Sequence, residues 1–255
     1  MRSYRKMLKR HLYRDNPAFY NAFFLDTGNI TGGERRKKLI VLPSYRTSVI
    51  SFVDKKILKK DLNNNFYVQH PELEVRGVKL THLRKIKNEL LVYALEENSP
   101  LELTTVAHAY WYFERLVVQG MVSKANRKVI LAACALLAIK FLETGDVSKK
   151  LQYFRNRWRR FHLVSSGILG EGEEDEIEED EENVKVDWGQ VERNEFPVYV
   201  GLDFTLMQDL GSNVIATHIE RLLQQINVTS QEYYSKKFVS PVYLNKYNYY
   251  SNLYY

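Results

Sequence analysis

Residues 104–143, TTVAHAYWYFERLVVQGMVSKANRKVILAACALLAIKFLE, carry the pattern that decides the fold. The spacing predicts two consecutive helices. In the first, Val106, Ala109, Tyr110, Phe113, Leu116 and Val117 form one apolar stripe at i, i+3, i+4, i+7, i+10 and i+11, with His108, Glu114 and Arg115 expected on the opposite face. Gly120 supplies the stop, as glycine does after helix C-termini. The second helix has no polar face from Val129 to Ile139, a pattern that in a soluble protein requires other helices on every side. Its small residues, Ala132, Ala133, Cys134, Ala135 and Ala138, let neighbouring backbones come close. Lys140 ends the apolar run. A lysine at that place must carry its ammonium group outward along its stem or meet a carboxylate or carbonyl groups.

Away from this pair, the chain has the length of one ordinary domain with extensions. Its 255 residues are 45% apolar, enough for a real core. A single cysteine excludes an intramolecular disulfide, and no apolar signal opens the chain. Both point to a reducing compartment, cytoplasm or nucleus, although MRSYRKMLKRHLYR has the basic composition of a presequence. The apolar run at 129–139 is too short to span a bilayer, so no membrane segment is expected. Net charge is +6, but residues 171–182 hold ten carboxylates, which leaves 37 basic against 21 acidic residues elsewhere. A body so basic suits polyanions or acidic protein surfaces, and equally suits a lysine-rich solvated surface.

Taken in order, residues 1–38 read as a basic, flexible arm with a glycine-rich patch that lacks the lysine and hydroxyl of a phosphate loop. Residues 39–79 read as an extended segment with a short helix near 46–53, laid on the body. There KLIVLPSYRTSVISFV has strand propensity, but Pro43 interrupts it and no strand partner is evident. A helix begins near Thr81 with the stripe Leu83, Ile86, Leu90 and Ala94. Another carries Val147, Leu151, Phe154, Trp158 and Phe161 inward and Lys149, Lys150, Arg155, Arg157, Arg159 and Arg160 around its other sides. Residues 165–186 form an acidic insert too polar to fold alone. A fifth helix runs from Trp188 to Phe204, with Val191, Val198 and Leu202 inward, Glu195 on or near that face and Pro197 as a kink. A further helix within 205–229, with Ser212 as N-cap, precedes an extended tyrosine-rich tail at 230–255. The expected class is therefore all-α, five helices over 80–204 around one apolar member.

A central helix packed on all sides is the arrangement of the cyclin box, and particular residues are similar to that family. ALLAIKFLE resembles the end of the cyclin third helix, and QVERNEFPVYVGLDF resembles the fifth. The resemblance implies that Lys140 and Glu195 form the pair with which cyclins contact a cyclin-dependent kinase. Several segments, among them KKLIVLPSYRTSVISFV, ILKKDLNNNFYVQHPEL, LTHLRKIKNELL, LTTVAHAYWYFERLVVQG and KANRKVILAACALLAIK, further resemble, in order, the C-terminal part of Cables proteins over about residues 35–225. Such a resemblance implies a cyclin-box adaptor for a cyclin-dependent protein kinase in cell-cycle control. It does not extend to the substrate-docking patch of cell-cycle cyclins, which LRKIKNELLVYAL lacks, nor to a second cyclin box after 205.

No catalytic chemistry is visible. His11, His70, His82, His108, His162 and His218 lack metal-ligand spacing, no cofactor motif is present, and neither a nucleophile elbow nor kinase signatures occur. Cys134 reads as a small core residue. Lys140 on spacing alone could cap carbonyls or pair with Glu143, and Glu195 could be only its internal counter-ion. KKLQYFRNRWRRFH invites a nucleic-acid reading, yet its aromatics follow the buried stripe. A structural subunit of a larger assembly is the remaining alternative, with the arms and the acidic insert meeting other proteins.

Overall fold

Aliphatic residues and one cysteine follow each other without a polar break from Val129 to Ile139 and leave a helix no side to turn to water, and in the computed structural model every one of these side chains is buried. The structure describes residues 22, 25, 38–41, 46–49, 55–96, 99–164, 187–208 and 212–235. Among them are two strands, β1 (Lys38–Val41) and β2 (Arg46–Val49), and nine helices. These are α1 (Lys55–Gln69), α2 (Pro71–Val75), α3 (Leu80–Leu95), α4 (Leu103–Val118), α5 (Arg127–Leu142), α6 (Val147–Val164), α7 (Trp188–Gly201), α8 (Val214–Gln225) and α9 (Ser230–Ser235). The apolar helix, α5, packs against α3, α4, α6 and α7. Its alanines and Cys134 are at most 2% exposed, so α5 presents little bulk to α4 and α7, its two most extensive neighbours. Each Leu or Ile buried there contributes about 1.5–3 kcal/mol.

The first helix of the organising pair, α4, departs from the expected amphipathic pattern. His108 and Glu114 are buried, because α8 covers the face that was expected to meet solvent while α5 covers the other. Burial of the Glu114 carboxylate is tolerated because Lys87 from α3 forms an ion pair with it and His218 from α8 lies 3.8 Å away. Lys87 also lies 4.6 Å from the centre of the Tyr110 ring. His108 accepts its place by pairing Nδ1 with the Thr104 carbonyl at 2.9 Å. A layer of aromatic rings ties α3, α6 and α7 together. Tyr93 meets Trp158 edge to face at 5.7 Å, and Phe154 touches Trp158 at 5.5 Å and Trp188 at 5.8 Å.

The region before α3 corrects the sequence reading in two places. The run with strand propensity finds its partner within itself: β1 and β2 pair antiparallel, Lys38 opposite Val49 and Val41 opposite Arg46. No helix forms at 46–49, and Pro43 belongs to neither strand. The polar stretch that follows is helical, α1, although Asn63, Asn64 and Asn65 are poor helix formers. Tertiary contact overrides propensity there: Leu62 and Phe66, four apart, are buried, and Asn63 Oδ1 accepts from the Thr81 amide at 3.2 Å in the first turn of α3. Leu25 and Ala22, from the stretch read as an arm, are also buried, and Arg221 of α8 donates to the Ala22 carbonyl.

The later elements follow the sequence more closely. Inward positions Val191, Val198 and Leu202 are fully buried. The helix that carries them ends at Gly201 instead of Phe204, with Pro197 inside it. Asn213, not Ser212, is the N-cap of α8, and Ser212 Oγ lies 3.5 Å from the Val214 amide. Ser230–Ser235, expected to be extended, makes a short helix. There the Thr229 hydroxyl accepts from the Glu232 amide at 3.2 Å, and the Glu232 carboxylate accepts from the Thr229 amide at 3.0 Å. The acidic insert at 165–186 and the tail beyond 235 lie outside the described residues. No helix among the described residues is long and apolar enough to cross a membrane.

Candidate protein-docking site

Lys140 stands in the last turn of α5, where the helix dipole favours a cation, and its stem lifts the ammonium group out of the core. Glu195 comes from the middle of α7, which packs along α5. The two meet: Lys140 Nζ donates to Glu195 Oε1 at 2.6 Å and to Oε2 at 2.8 Å. Their side chains are 43% and 24% exposed, so the pair lies at the surface and is open to a partner.

Glu143, the other carboxylate that spacing offered to Lys140, is engaged elsewhere. Its side chain is 2% exposed and accepts from the Glu102 amide at 3.1 Å, the Thr105 hydroxyl at 2.6 Å and Lys150 Nζ at 2.6 Å. One buried carboxylate therefore satisfies the start of α4, closes the end of α5 and fastens α6. Lys140 is left to the surface.

Apolar groups flank the ion pair. Phe141 and Phe196, the residues after Lys140 and Glu195, are 45% and 55% exposed. One turn beyond Glu195, Tyr199 lines an open cleft of about 310 Å³ with Phe141, Phe204, Thr205, Leu206 and Met207. Phe204 and Met207 are more than half exposed. A charged pair beside exposed aromatic side chains and a shallow cleft has the composition of a protein-binding surface, where aromatic anchors sit inside a polar frame.

The cleft owes its far wall to residues that the sequence reading did not single out. The loop after α7 is held by Arg115 of α4, which donates to the carbonyls of Leu202 and Thr205, both at 3.3 Å, and by the Tyr112 hydroxyl, which donates to the Leu206 carbonyl at 2.7 Å. Gly201 is the last residue of α7 and sits against α4. A Cβ there would fall 2.8 Å from Leu116 Cδ2 and against the Met121 sulfur, so glycine is what lets α7 press onto α4.

Other candidate groups are absorbed by the core. Cys134 is wholly buried, and desolvation pushes its thiol well above the usual range. His218 is held down to about 4, chiefly by burial, with the Glu114 carboxylate acting in the opposite direction. Phe154 and Trp158 of the basic helix α6 are buried and offer no platform for stacking bases. No group of three or more His, Cys, Asp or Glu among the described residues is placed to hold a metal ion.

Comparison with known proteins gives a family by sequence alone: no family model matches the chain, and no solved structure matches it. Over 206 residues it is 34% identical to human CDK5 and ABL1 enzyme substrate 2, covering 81% of this chain and 37% of that protein. Over 190 residues it is 33% identical to human CDK5 and ABL1 enzyme substrate 1, covering 74% of this chain and 25% of that protein. The mouse form of the former is 32% identical over 206 residues. The chain thus spans between a quarter and two-fifths of the length of these relatives. With one-third identity sustained across most of its own length, the chain's homologues are Cables family proteins.

Proposed function

We propose that this chain is a non-enzymatic adaptor built on a cyclin box, α3 to α7 with α8 added, that binds a cyclin-dependent protein kinase through Lys140 and Glu195 in the cytoplasm or nucleus. The relatives carry the names of CDK5 and ABL1 enzyme substrates, which supports a kinase as partner. The observation that carries the reading is the placement of the Lys140–Glu195 pair at the surface beside Phe141, Phe196 and the cleft. A counter-ion pair serving only the fold has no need of this exposure, and an exposed pair contributes only about 0–1 kcal/mol to stability.

Folding and binding should respond differently to loss of the pair. Lys140→Ala should leave the folded chain nearly as stable as before. If a kinase covers and desolvates the pair, the same change should cost about 2–5 kcal/mol of binding, a loss of roughly thirtyfold or more. Purified human CDK5, titrated against the wild-type chain and Lys140→Ala, gives the first readout, and recovery of cyclin-dependent kinases with each chain from cell extract gives the second. Equal binding by both chains would remove Lys140 from the site.

A further inference from the structure

Four helices end in the same turn: the residue after the C-cap takes a left-handed backbone, and two amides reach back to carbonyls of the last turn. Gly77 (φ 65°) serves α2, Gly120 (φ 79°) serves α4 and Asn227 (φ 52°) serves α8, residue types suited to this conformation. The turn after α7 differs. Asp203 (φ 54°) takes the glycine position, with its amide 3.0 Å from the Val200 carbonyl, and Phe204 (φ 58°) is left-handed as well, with its amide 3.1 Å from the Tyr199 carbonyl. Two successive side-chain-bearing residues in this region crowd their Cβ atoms against backbone carbonyls, and such a turn persists only where its surroundings hold it.

Arg115 ties the turn itself to α4, as Tyr112 ties the residues just after it. Its guanidinium bonds the carbonyls of Leu202 and Thr205, one on each side of the turn, lies 3.9 Å from the Asp203 carboxylate and rests 5.2 Å from the centre of the Trp111 ring. The result is an outward aromatic: Phe204 stands edge to face on Tyr199 at 5.0 Å and 89°, still 53% exposed, with Met207 59% exposed beyond it. We propose that Arg115 is a positioning residue of the docking surface. It clamps the strained turn so that Phe204 and Met207 form an apolar lip across the cleft from Phe141, and the kinase reads that lip together with Lys140 and Glu195. This role rests on the kinase-binding reading above.

Arg115→Gln, in the full chain, should raise amide hydrogen exchange at 202–207 while leaving the interior of α5 protected, and should weaken binding of purified human CDK5 about tenfold, the scale of one well-placed interface contact. Adding Asp203→Gly should restore part of that affinity, because glycine enters the left-handed turn without crowding and needs less holding. A merely structural tie between α4 and α7 would show no such rescue. Phe204→Ala should lose similar affinity with exchange at α5 unchanged. Exchange at 202–207 indifferent to Arg115→Gln, or a loosened turn with undiminished binding, would overturn the proposal. Failure of the wild-type chain to bind CDK5, with exchange at the turn still dependent on Arg115, would overturn the kinase reading, and with it the lip's partner, while leaving the clamp intact.

Discussion

Replacing Glu143 by alanine tests how the end of α5 is secured. The carboxylate is 2% exposed and receives three donors, the Glu102 amide, the Thr105 hydroxyl and the Lys150 ammonium. Truncation strands the Thr105 hydroxyl in a dry site, at about 1–3 kcal/mol, and takes the acceptor from the half-buried Glu102 amide, at about 0.5–1.5 kcal/mol. Lys150 is 19% exposed and can swing its ammonium into water, so the full cost of an abandoned buried charge does not apply. The expected loss is about 2–4 kcal/mol. Urea unfolding followed by circular dichroism should show a lower midpoint with an unchanged slope. Thr105→Val, which removes one donor and leaves the carboxylate its other partners, should cost about 1–2 kcal/mol. In a Thr105→Val background the effect of Glu143→Ala should shrink, since the two groups share a bond. A Glu143→Ala chain within about 0.5 kcal/mol of wild type would show that the three donors find water or new partners, and would refute the view that this carboxylate fastens α4, α5 and α6.

Two further outcomes follow from the same packing. His218 is neutral in the fold, held down to about 4 from an ordinary 6.5, so the unfolded chain binds the extra proton between these values; stability is full above about pH 6.5 and falls as pH drops towards 4. Up to about 3 kcal/mol is lost across that window, and urea midpoints at pH 7 and pH 5 should differ less in His218→Gln. Gly201→Ala should cost about 1–3 kcal/mol by overpacking α7 against Leu116 and Met121, and Met121→Ala should recover part of the lost thermal midpoint. A neutral Gly201→Ala would show that the two helices can separate without penalty.

The cyclin-box reading leaned on one helix, and that helix was legible because its pattern has a single physical solution. Eleven successive buried positions cannot be arranged on an exposed helix, so Val129–Ile139 had to lie inside, with Lys140 as its exit. The inward stripes of α3 and α7, and that of α6 as far as Trp158, were equally readable, since each repeats at helical spacing. The failures differ in cause. α1 is held by Leu62, Phe66 and the Asn63–Thr81 bond, contacts with residues distant in sequence, while its own asparagines disfavour a helix. The β1–β2 pairing was within reach, since its partner lay a few residues away in sequence.

For the candidate site the division is sharper. The sequence by itself determined that Lys140 would emerge from a buried helix and that Glu195 lay near the inward face of another, because helical period places side chains on known faces. That Lys140 pairs with Glu195 and not with Glu143 depends on the side-by-side packing of α5 and α7 and on three donors converging on Glu143 from α4 and α6. The left-handed pair Asp203–Phe204 and its clamp by Arg115 were likewise decided only in three dimensions. Local propensity argues against two such residues in a row, and the side chains that hold them, Arg115 and Tyr112, come from about ninety residues earlier in the chain.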